Sequence, residues 1–73
     1  MQVRDLIKTA IKKFDSEAKL GKAIGYTQNA VWQAKRRGSV SPKMAIAIDR
    51  ATSGEISKEK LRPDIFASDE AAA

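Results

Sequence analysis

Gly25, Tyr26 and Thr27 interrupt two stretches of helical apolar spacing, and this interruption constrains the chain more than any other feature. Upstream, the Asp15-Ser16 pair supplies N-cap oxygens for a helix of about two turns, with Ala18, Leu20, Gly21 and Ile24 as inward positions and Gly25 as its stop. Downstream, Thr27 caps a helix running roughly from Gln28 to Arg37 and ending at Gly38. Two short helices joined by so few residues must pack at a steep angle. The unit occupies residues 17–37.

The flanking segments complete a small bundle. Val3, Leu6, Ile7, Ala10, Ile11 and Phe14 have the spacing of an amphipathic helix, with Arg4, Lys8 and Lys12 stacked on another side as an ordinary solvated face. Ser41 followed by Pro42 reads as N-cap and first helical position, and Met44, Ala47, Ile48 and Ala51 form one helical face that stops before Gly54. The same residues permit a strand, because Met44, Ile46 and Ile48 alternate with Ala45 and Ala47 and Thr52-Ser53-Gly54 could close a hairpin. The helix is preferred, and it leaves Ile46 on the outer side, either as a scattered surface residue or as a dimer contact. Ser57 caps a short fifth helix, Lys58 to Arg62, and Pro63 stops it so that Leu61, Ile65 and Phe66 return to the core. The expected architecture is all-α, a five-helix domain over residues 1–66; the alternative is an α+β fold with a C-terminal hairpin. Residues 67–73, ending Asp69-Glu70-Ala71-Ala72-Ala73, have little to bury and are expected to form a mobile tail.

Composition then removes whole classes of function. The 73 residues contain no cysteine and no histidine, so disulfides, thiolate nucleophiles, imidazole bases and the usual zinc sites are absent. No carboxylate pair stands beside a Gly-rich phosphate loop or a nucleophile, so neither an enzyme, a cofactor, a metal nor a small-molecule ligand is expected. No apolar run approaches the roughly 20 residues of a membrane span, which points to the cytoplasm. Charge is uneven: residues 1–43 hold ten Lys/Arg against three Asp/Glu, whereas residues 44–73 hold four against six. A basic amino half of this size favours an anionic partner, with nucleic acid first.

On a helical wheel, Gln28, Asn29, Trp32, Gln33 and Arg36 share one arc, opposite Thr27, Ala30, Val31 and Ala34. Small residues on the inner arc let the helix lie close to its neighbour. The outer arc carries groups that read base edges: Gln and Asn pair with adenine, Arg pairs with guanine, and the major groove of duplex DNA admits one helix. Trp32 is either the one large core aromatic or a groove-facing indole, and the wheel favours the second. Lys35 and Arg37 flank the arc within reach of phosphates, although a basic run at a helix end also simply complements the macrodipole. No exposed aromatic array suited to unpaired RNA bases is visible.

The stretch from Leu20 to Val31, with the Gly25 turn, Gln28-x-Ala30-Val31 and the closing Gly38, resembles the helix-turn-helix of phage Cro repressors and YdaS-like regulators. Glu59-Lys60-Leu61-Arg62-Pro63-Asp64-Ile65-Phe66 is similar to the ending common in the YdaS-like branch, so the resemblance covers roughly residues 14–66. It implies a lambda-repressor-like DNA-binding transcriptional regulator, often dimeric, whose third helix meets operator base pairs. Gln28, Asn29, Gln33 and Arg36 then face DNA, and Lys22 matches a phosphate-contacting lysine. With Thr27 and Trp32 added, the expected base-contacting set is Thr27, Gln28, Asn29, Trp32, Gln33 and Arg36, and the phosphate set is Lys22, Lys35 and Arg37. Two positions depart from the family's pattern: Ala34 stands where relatives place an inward aromatic, and Glu17 where a polar phosphate contact is common. The family includes all-helical members and members whose second half pairs as strands. The expected partner is a double-stranded operator bound by a weak homodimer; the alternative is an antitoxin that binds its own promoter and a protein toxin.

Overall fold

The computed structural model describes residues 2–67. Five α-helices follow in order, α1 (Val3–Lys13), α2 (Glu17–Ile24), α3 (Gln28–Arg37), α4 (Pro42–Ala51) and α5 (Lys58–Leu61), and a wide π-type turn, Pro63–Ala67, closes the chain. The all-helical architecture read from the sequence is the one observed, and no strand occurs among the described residues. The mobile tail expected at 67–73 largely lies outside them; only Ala67 is described, as the last residue of the turn.

Local signals set the boundaries. Four side-chain hydroxyls start helices by accepting a backbone N–H three residues on: Ser16 from Lys19, Thr27 from Ala30, Ser41 from Met44 and Ser57 from Lys60. Ser16 alone does this for α2. Asp15, expected to share the task, instead turns the chain at φ 77°. α4 is decided in the same way, by Ser41 and by Pro42 in its first turn. At its other end Thr52, 3% exposed, donates its hydroxyl to the Ile48 carbonyl at 2.8 Å and accepts the Ile56 N–H at 3.1 Å. The Asp49 carboxylate accepts the Lys58 N–H at 2.9 Å, which ties α4 to the start of α5. The 52–54 segment is therefore a helix exit, with the Gly54 N–H donating to the Asp49 carbonyl at 2.8 Å, and not a hairpin turn.

One core joins all five helices. Leu6, Ile7 and Ala10 of α1 meet Leu20 and Ile24 of α2, Val31 and Ala34 of α3, Met44, Ala45 and Ile48 of α4, Leu61 of α5, and Val40 and Ile56 from the connections. Three expectations are corrected here. Ala18 is exposed, because the buried arc of α2 centres on Leu20, Gly21 and Ile24 and position 18 lies more than a quarter turn away. Ile65 is 41% exposed, since the wide turn sends its neighbour Phe66 against the core instead. Ala45, absent from the expected face of α4, is completely buried, while Ala47 and Ala51 are only partly covered.

The α2–α3 angle depends on a close approach. A Cβ on Gly21 would lie 2.7 Å from the Tyr26 carbonyl oxygen and 3.1 Å from Thr27 backbone atoms. Gly25 takes φ 78°, and the Tyr26 N–H closes the helix on the Gly21 carbonyl at 2.8 Å. At the carboxy end, Arg62 forms a two-pronged pair with Asp64, at 3.0 and 2.7 Å, and donates to the Val40 carbonyl at 2.9 Å. The Leu61-Arg62-Pro63-Asp64 run is thus a clasp between the last turn and the α3–α4 connection.

Two outcomes follow. Gly21→Ala should destabilise the fold by about 1–3 kcal/mol in urea unfolding, because the added methyl meets backbone that cannot move aside cheaply; an unchanged midpoint would contradict the close approach. The Arg62 hydrogen bonds hold the Asp64 carboxyl below its ordinary value. Its stabilising contribution is therefore present above the ordinary carboxylate pKa and is lost as pH falls through the lowered one. A side-chain carbonyl NMR titration of Asp64 should show the low pKa, and Arg62→Lys should raise it; a titration at the ordinary value in both proteins would contradict the clasp.

Candidate nucleic-acid interface

α3 lies against α2 through its smallest faces. Val31 and Ala34 are buried and Ala30 is partly covered, so the helix presents everything else outward. Gln28, Asn29, Trp32, Gln33, Arg36 and Arg37 are all exposed. The first turn carries no acidic residue, which leaves the positive end of the helix dipole facing solvent. Thr27 is exposed and its hydroxyl oxygen accepts the Ala30 N–H at 3.1 Å, so it sits at the start of the face as the cap of the helix.

Trp32 takes the outward orientation. The residue is 40% exposed, and the Arg36 guanidinium stacks over the indole at 5.3 Å from the ring centroid. The ring divides the surface into two shallow hollows, one lined by Glu17, Gln28, Asn29 and Trp32, the other by Trp32, Gln33, Arg36 and Arg37. On the opposite side of α3, the small residues Val31 and Ala34 are the ones buried in the core.

The basic run at the end of α3 is not uniform. Lys35 is half-buried, and its Nζ lies 2.6 Å from a Glu17 carboxylate oxygen at the start of α2. The sequence placed Lys35 free at the edge of the arc; the structure commits it to an ion pair, and the Glu17 carboxylate that departs from the family pattern turns toward this lysine. Arg36 is committed to the indole. Arg37 on α3 and Lys22 on α2 are exposed and enter no ion pair among the described residues.

Arg4 is the residue that sequence reasoning missed. Read as part of a solvated α1 face, it donates Nε to the Lys35 carbonyl at 3.1 Å and Nη2 to the Arg36 carbonyl at 3.0 Å. Its guanidinium thereby occupies the carbonyl end of α3, where unpaired acceptors and a negative dipole favour a cation. Gly38, which ends α3 at φ 72°, is called for by that backbone conformation and not by Arg4, since a Cβ there would be in ordinary contact with Arg4 Nη2 at 3.5 Å. No local pattern announces a contact across 31 residues of sequence.

A sequence profile described as bacterial toxin YdaS matches residues 7–70. The chain belongs to the YdaS family. That match spans the α2–α3 unit and the clasp together, somewhat more than the resemblance read from the sequence. Among solved structures, the chain is similar to the Cro protein from the putative prophage element Xfaso 1 in Xylella fastidiosa strain Ann-1, with 35% identity over 90% of this chain and 97% of that one and a TM-score of 0.76. No curated protein matches. The fold is therefore that of a Cro-like helix-turn-helix regulator, with α3 in the place of the second helix of the motif.

If Arg4 holds the end of α3, Arg4→Met, which keeps the aliphatic stem, should cost about 0.5–1 kcal/mol of stability and speed amide exchange in the last turn of α3. Exchange rates at Gly38 and Ser39 equal to wild type would contradict the clamp.

Proposed function

We propose that the chain is a sequence-specific, double-stranded DNA-binding repressor of the Cro type, which acts by occupying an operator and not by chemistry. The observation that carries this reading is the outer face of α3. Three amides, a guanidinium and an indole are exposed together on one rigid helix whose other face is seated in the core. The amides of Gln28, Asn29 and Gln33 suit adenine edges, Arg36 suits guanine, and Trp32 gives an apolar contact to a thymine methyl or a sugar. Thr27, with its oxygen used in the cap, keeps its O–H hydrogen to donate at the edge of the groove. Lys22 and Arg37 reach phosphates on either side. The family and the prophage Cro neighbour support a regulator built on this motif.

One helix reads about four base pairs, too few to mark a site. A symmetric dimer on an inverted repeat, with half-site centres about 34 Å apart, doubles the reading and uses the same face twice.

Base and phosphate roles separate by experiment. Gln28→Ala and Arg36→Ala should each lose about 1–3 kcal/mol of operator binding and relax the base preference at one position per half-site. Arg37→Ala should weaken operator and mixed-sequence duplex alike and make the salt dependence shallower by about one unit. Titrations over a salt series check both; an unchanged base preference in the first pair would reject the direct-readout role.

A further inference from the structure

Glu17 is the one acidic residue on the surface that otherwise carries the basic and amide side chains of α3. It lines the same hollow as Gln28, Asn29 and Trp32, so its carboxylate faces the side on which DNA would lie. An unpaired carboxylate there would repel phosphate. It is paired, at 2.6 Å, with Lys35, and both side chains are half-buried or more deeply covered, at 17% and 33% exposed. The Lys35 backbone carbonyl accepts from Arg4, which fixes the last turn of α3 that carries the lysine. Its neighbour Arg37 carries the same charge with no ion-pair partner among the described residues.

We propose that Glu17 sets the strength and salt dependence of DNA attachment by withholding Lys35 from the DNA backbone, lowering affinity for all duplexes alike while leaving the base-reading groups of α3 untouched. This inference rests on the DNA-binding reading above. Phosphate contacts raise the affinity for every sequence equally, so a basic surface gains attachment without gaining discrimination. Pairing one lysine internally removes a sequence-independent contact and so weakens attachment to every duplex, while Gln28, Asn29, Gln33 and Arg36 set the ratio of specific to non-specific binding with or without it. The pair also joins the start of α2 to the last turn of α3, so the half-buried carboxylate is not left as a bare charge.

The test is a salt series, from 50 to 300 mM, with a 20-base-pair duplex of mixed sequence and with a site enriched from random DNA, using the full chain throughout. Glu17→Gln keeps the shape of the side chain and its place in the first turn, and frees the lysine. Its salt slope should steepen by about 0.9 unit and its affinity for mixed-sequence DNA should rise about fivefold at 0.15 M. Affinity for the enriched site should rise by the same factor, so that the specificity ratio stays at the wild-type value. Lys35→Gln leaves the Glu17 carboxylate unpaired and should weaken binding to both duplexes, and the double variant, with neither charge, should return to the wild-type slope. Glu55→Gln adds the same charge beside Lys13, at the far end of α1 from Arg4, and should leave the slope unchanged.

An unchanged slope in Glu17→Gln, a steepening that persists when Lys35 is also replaced, or an equal effect from Glu55→Gln would each overturn the proposal. Circular dichroism of every variant checks that α2 remains folded. Wild-type protein that binds both duplexes equally at 0.15 M would instead overturn the operator reading. Failure of that reading is thus seen in the wild-type protein, and failure of the Glu17 proposal only in the variants.

Discussion

The seating of α3 on α2 is the constraint from which the rest of the molecule follows. It requires a position without a side chain, Gly21, where the chain of the 26–27 turn passes within van der Waals distance of the helix. It also requires small inward residues on α3, and Ala30, Val31 and Ala34 supply them. Once the helix is this close, its large and polar side chains have nowhere to go but outward. The exposure of Trp32 is a consequence of this seating, not a defect of the core. Two further helices brace the pair: α1 through Arg4 at the carbonyl end of α3, and α4, packed on α2, through Met44, Ala45 and Ile48 in the shared core.

Charge on this scaffold is allocated residue by residue. A count of Lys and Arg in the amino half suggests a uniformly basic surface, yet Arg4 satisfies backbone carbonyls, Lys35 satisfies Glu17 and Arg36 lies on Trp32. Each of these cations orders another group before any partner arrives. Arg36 in particular is held over the Trp32 ring. The cations left without an ion-pair partner among the described residues are a smaller set, which includes Lys22 and Arg37. On the DNA-binding reading proposed above, such a surface attaches more weakly to duplexes of any sequence than one on which every cation is loose.

Much of this was legible in the sequence because it is local. Ser16, Thr27, Ser41 and Ser57 cap the helices they precede, and Gly25 and Gly38 end the helices they follow, since each acts within four residues of itself. The ambiguity at residues 42–51 was settled by Ser41, Pro42 and the buried Thr52, which outweigh an alternation that three large apolar residues produce by chance. Contacts between distant segments were not legible. Arg4 has the spacing of an ordinary surface residue, Glu17 and Lys35 meet only through the steep α2–α3 angle, and Val40 and Ile56 lie in connections with no periodicity to mark them as core. Ala18 and Ile65 illustrate the opposite error, apolar residues beside a buried arc but not on it.

The central claim is that this face reads duplex sequence. Selection of binding sites from random duplex DNA at about 0.15 M salt, where non-specific attachment falls to roughly 10⁻⁴–10⁻⁶ M, tests it most directly. The account predicts an enriched inverted repeat with half-site centres about one helical turn apart. A pool that emerges without any enriched sequence would contradict it, and would leave the face of α3 as a basic surface for some other partner.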